Sequence, residues 1–117
     1  MRTALLPILL VYAAASLFHH VHNAEFLHEY PSMPAWLSPA VVYAAWAGAT
    51  AIGVLGYWLR RPVLLVAYGG YGVGVLAHYA LAPLSAHSPM MNLSIALEAA
   101  AAAALLVAAS RPVRPSL

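Results

Sequence analysis

Three carboxylates, Glu25, Glu29 and Glu98, and six histidines, His19, His20, His22, His28, His78 and His87, hold most of the acid–base and metal-ligand chemistry open to this chain. It has no Cys and no Asp. A thiolate metal site and a Ser-His-Asp triad are therefore excluded, and a bound divalent metal would be Zn, Fe, Mn or Cu on nitrogen and oxygen ligands. A Ser-His-Glu variant would have to draw on Ser85 or Ser88. His22, Glu25 and Glu29 are three and four residues apart, with His19 one turn before His22, so a helix through them carries all four on one stripe. Carboxylates and imidazoles projecting from several helices suit a metal site in a bundle. The spacing predicts a first shell of His22, Glu25, His78 and Glu98, with His19 and His87 as further ligands. Alternatively, His19 or His22 together with His78 would give heme b two axial ligands. Without any ion, the same residues would form a hydrogen-bond network in which a protonated Glu98 donates to His78. His20, His28 and Glu29 read as solvated polar residues.

The elements that must position these groups follow from composition. Of 117 residues, 64% are hydrophobic and 7% charged, against roughly 25% charged in an ordinary soluble domain. A small soluble domain has a high surface-to-volume ratio and needs a polar shell, which eight charged residues cannot supply. A soluble domain, a disordered chain and a disulfide scaffold are excluded. The five Arg form no cluster large enough to track a phosphate backbone, so nucleic acid is not an expected partner. Four apolar stretches remain, about residues 3–21, 35–59, 62–82 and 90–110, each near the roughly 20 residues that cross about 30 Å of hydrocarbon. Pro31, Pro34 and Pro39, the Arg60-Arg61-Pro62 turn, and the run from Pro83 to Pro89 separate them. Loops this short predict an all-α, four-helix, up-down-up-down transmembrane bundle, one domain over residues 1–117.

Arg2, Arg60, Arg61, Arg111 and Arg114 all fall on one side of that map, which the positive-inside rule makes cytoplasmic. Both termini are expected inside the cell membrane, with the histidines, Glu25 and Glu29 at the outer end. Cysteines placed at Ser32 and Ser85 should react with a membrane-impermeant thiol reagent in intact cells, and one at Ser116 should not; labelling at Ser116 alone would invert the orientation. The run Ala13-Ala14-Ala15 before Ser16 resembles a signal-peptide cleavage site. The apolar stretch continues through Leu17 and Phe18, however, so the first span is expected to be retained. Glu98 lies about eight residues, or about 12 Å, into the last span. With no Arg or Lys at its level, it must take up a proton or bind a cation. Small residues at every fourth position, Ala45, Ala49 and Gly53 in the second span and Gly70 and Gly74 in the third, mark expected packing faces. Gly72-Val-Gly74-Val-Leu-Ala77 matches a dinucleotide-binding pattern, but inside an apolar span it lacks the strand and helix that give the pattern meaning. Trp36 and Trp58 read as anchors at the two membrane interfaces.

The stretch His22-Asn-Ala-Glu25-Phe26, then Glu29-Tyr-Pro31 and Pro34-Ala-Trp36-Leu37, resembles a group of prokaryotic multi-pass membrane proteins named for an His-x-x-Glu-Glu motif. His22 and Glu25 match; Phe26 stands where the second Glu would be. The resemblance implies a bacterial or archaeal membrane protein with a polar motif on the outer side, and no particular activity.

Three functions are compatible with these residues. One is an intramembrane metalloenzyme acting on an apolar small-molecule substrate, with the metal activating water or oxygen. Another is metal binding without catalysis. The third is a small structural or accessory subunit of a membrane complex. An ion conductor fits poorly, because no polar residue continues a path through the inner leaflet below Glu98.

Overall fold

Serine followed by proline opens two of the helices, and the reason is local. Ser38 and Ser88 each accept a hydrogen bond from the backbone N–H three residues on, at Val41 and Met91. The prolines that follow fill the first helical position, where a missing N–H costs nothing. The computed structural model describes residues 2–112, so Arg114 and Ser116 lie outside the described residues. Its helices are α1 (Arg2–Glu25), α2 (Pro39–Trp58), α3 (Pro62–Val73), α4 (His78–Leu81) and α5 (Pro89–Ser110), with no strand among the described residues. A 3₁₀ turn, Gly74–Ala77, joins α3 to α4, so the third span runs as one irregular rod from Pro62 to Leu81.

The fold is an all-helical four-helix bundle, and each of its four rods is long and apolar enough to cross a membrane. α1 runs unbroken through Ser16 to Glu25, past the expected boundary near residue 21. α2 starts at Pro39 rather than near residue 35, because Pro34 and Pro39 hold the intervening chain out of the helix. Between α2 and α3 the chain turns on Arg60, which sits in the left-handed region at φ 55°. There the N–H of Arg61 reaches Gly56 O at 2.9 Å and that of Arg60 reaches Tyr57 O at 3.4 Å. This closes the helix end as a glycine normally would. Arginine in that conformation costs about 1–2 kcal/mol, a local strain that the three-residue reversal requires.

α5 packs against α1 and α3, and α2 packs against the same two helices, so the rods close into a ring. Partners run in opposite order along α1 and α5: Ser16 meets Glu98, and one turn further along α1 His19 meets Ser94. The arginine end of the interior is apolar, built from Leu9, Tyr12, Leu65, Tyr68, Ala102 and Leu105. Tyr12 crosses it to donate to Tyr68 O at 2.9 Å, and the two rings lie 4.4 Å apart. Glycines admit these rings: a Cβ on Gly53 would run into the Tyr68 ring, and one on Gly72 into Tyr12. The expected packing face on the third span is thus displaced. Gly69 and Gly72 make the close contacts, while Gly70 and Gly74 look into open space.

The buried polar residues, Ser16, His19, His20, Asn23, His87, Ser94 and Glu98, lie toward the other end. Large apolar side chains such as Leu10, Val11, Val54, Val63 and Val107 face outward. Polar inside and apolar outside is the arrangement that a hydrocarbon solvent favours, because lipid cannot satisfy a hydrogen-bonding group.

Candidate functional site

On α1 the polar residues Tyr12, Ser16, His19 and Asn23 recur at spacings of four, three and four, which is one helical face. That face is buried, and its middle residues, Ser16 and His19, meet α5. Ser16 Oγ donates to Glu98 Oε1 at 2.7 Å. His20 Nδ1 lies 2.7 Å from Ser16 O and 3.3 Å from Ser16 Oγ. A carbonyl can only accept, so Nδ1 carries the proton, and a neutral ring then accepts at Nε2 from Tyr71 Oη, 2.7 Å away. The result is a relay Tyr71–His20–Ser16–Glu98 that ties three spans together. His20 Nδ1 is itself 3.9 Å from Glu98 Oε1.

A second cluster sits nearer the loops. Ser94 Oγ donates to Met91 O at 2.9 Å, so His19 Nδ1, 3.0 Å from Ser94 Oγ, must be the donor in that pair. The acceptor nitrogen of His19 is then Nε2. The His19 and His78 rings meet edge to face at 5.3 Å, and the His78 and His87 rings at 6.1 Å. His87 Nδ1 donates to Pro83 O at 2.9 Å, while its Nε2 is buried without a partner, as is Nδ1 of His78. Tyr30, from the turn after α1, caps this cluster: it is 3% exposed, with its ring 5.3 Å from that of His78. Burial holds the Tyr30 phenol above its usual titration range.

The expected metal shell is dispersed. Glu98 and His78 share one cavity, but Glu25 is exposed and accepts from Tyr43 at 2.7 Å, and His22 pairs with Tyr30 at 2.8 Å. Among the described residues, no group of three or more His and Glu side chains is arranged to hold a metal ion. The reason is the rotation of α1. At about 100° per residue, Glu25 points about 180° away from Ser16 and His22 about 120° away, so neither turns toward α5. Glu98 therefore faces Ser16 and His20 instead of a His22–Glu25 stripe. The two secondary candidates stay inside, His19 on the cavity wall and His87 buried against the third loop. His20, read from sequence as solvated, is buried. Ser16 and Tyr71 were not foreseen, although the Tyr12–Ser16–His19–Asn23 periodicity marks the α1 face that carries Ser16.

The cavity has a volume of about 490 Å³, within the roughly 300–1,000 Å³ range of small-molecule sites. Its polar wall is Glu98, His19, His20, Asn23 and His78, and its apolar wall comes from the α1–α2 loop, the start of α2 and the third span. Glu98 is 1% exposed, and its Oε2 has no hydrogen-bond partner. Trp36, 73% exposed, stands at the rim. Compared with known protein families, curated proteins and solved structures, the chain matches none.

Proposed function

We propose that this chain is a multi-pass membrane protein that binds a small molecule in the cavity at its histidine end, with Glu98 receiving the polar part of the ligand. The arginines orient it, with the histidine end outward and both termini cytoplasmic. One observation carries the binding reading. Glu98 lies on the cavity wall, almost wholly buried, with one carboxyl oxygen held by Ser16 and the other unpartnered. A buried polar atom left unpaired costs roughly 1–3 kcal/mol, and a carboxyl serving only to hold the bundle together would have both oxygens satisfied. A ligand group that reaches this carboxyl would satisfy the free oxygen.

A membrane-soluble carboxyl reagent tests this without knowledge of the ligand. Dicyclohexylcarbodiimide added to membranes should modify Glu98, located by peptide mapping, and filling the cavity with Gly74→Leu should slow that modification at least tenfold. Gly74 lines the cavity, and a side chain there would enter open space. Absence of modification at Glu98, or an equal rate in Gly74→Leu, would rule out a cavity that delivers small molecules to this carboxyl.

A further inference from the structure

The walls of the cavity also restrict what it can hold, and the restriction rests on the binding reading above. Two polar atoms on residues of the wall are buried without partners, Glu98 Oε2 and His78 Nδ1. The hydrogen-bond geometry makes Nε2 the acceptor nitrogen of His19 on the same wall. The first two are open to the polar head of a ligand, and His19 Nε2 and an ionised Glu98 both accept from one that donates. Among the described residues no Arg or Lys lines the cavity. A carboxylate or phosphate head would be desolvated there with no cation to offset it, which is costly in a low dielectric. A hydroxyl offers one donor to a wall with several acceptors. A primary amine offers up to three N–H groups and the positive charge that a buried carboxylate lacks. With the proton on the amine the contact is an N–H···O hydrogen bond, and with the proton on Glu98 it is O–H···N, the carboxyl donating. The rest of the wall, Met33, Trp36, Leu37, Val41, Val42 and Val75, is apolar and suits a hydrocarbon body.

We infer that the ligand is a lipophilic primary amine, seated with its nitrogen on Glu98 and His78 and its tail against the α1–α2 loop and α2. The geometry that says so is the conjunction of a buried half-satisfied carboxyl, unpartnered imidazole nitrogen and a wall without cations.

Full-length protein in lipid nanodiscs would be titrated with octylamine, 1-octanol and octanoate, matched in tail and differing in head. Saturable change in tryptophan emission is read against protein-free nanodiscs. The expected result is octylamine binding at least tenfold tighter than either of the others, with that preference lost in Glu98→Gln, which keeps the shape of the side chain. Equal affinity for amine and alcohol, tighter binding of octanoate, or an unchanged preference in Glu98→Gln would overturn the amine assignment. If Gly74→Leu still abolished binding in those cases, the cavity reading would stand. If none of the three probes bound saturably and Glu98 also failed to react with the carbodiimide, both would fall together.

Discussion

Ser16→Ala is expected to destabilise the folded bundle by about 1–3 kcal/mol, the cost of leaving a buried polar group without its partner. The substitution removes only an oxygen from a residue that is 1% exposed, so little packing is lost. What it removes is the donor 2.7 Å from Glu98 Oε1. Since Oε2 is already unpartnered, the carboxyl would lose its hydrogen-bond donor, with His20 Nδ1 lying 3.9 Å away. Glu98→Leu introduced into that background should restore most of the stability, because replacing both members of a buried polar pair by apolar groups is often neutral or better. A double-mutant cycle on reversible unfolding in mild detergent would measure the coupling. Additive single effects would mean that Ser16 and Glu98 do not meet.

Gly53→Ala and Gly72→Ala should each cost about 1–3 kcal/mol, the usual range for overpacking a filled core. In both cases the new methyl collides with an aromatic ring, that of Tyr68 or of Tyr12. Those two rings are packed on each other at 4.4 Å and bonded through the Tyr68 carbonyl, so neither can yield alone. Gly48→Ala, on the same helix as Gly53 but with nothing within 4 Å of its added Cβ, should be neutral or slightly stabilising, as alanine is the better helix former. The same unfolding measurement reads all three. Equal behaviour of Gly48 and Gly53 would contradict the close packing of Gly53 on the Tyr68 ring.

The four rods were legible because hydrocarbon demands long apolar runs, and the chain supplies four, punctuated by Ser38-Pro39, Arg60-Arg61-Pro62 and Ser88-Pro89. The burial of Glu98 was legible for the same reason, since nothing but apolar residues flanks it. What spacing within a helix does not convey is how that helix is rotated in the bundle. By spacing His22, Glu25 and Glu29 form a stripe, but the stripe of α1 turned inward is Tyr12, Ser16, His19 and Asn23. The distinction lay in depth, because only the second set extends polar groups deep into the apolar stretch, where they must face inward. The third span repeats the lesson. Gly70 and Gly74 have the spacing of a packing motif, yet Gly69 and Gly72 meet the neighbours, and no local pattern separates the two pairs.

Tyr12, Tyr68 and Leu105 fill the bundle on the arginine side of Glu98, so among the described residues the cavity does not continue toward that end. A molecule bound there enters and leaves at the histidine end. Trp36 borders the entrance and forms part of the wall, so a substitution there changes both the ease of exchange and the affinity. Weakening the hold at Glu98 shortens residence alone.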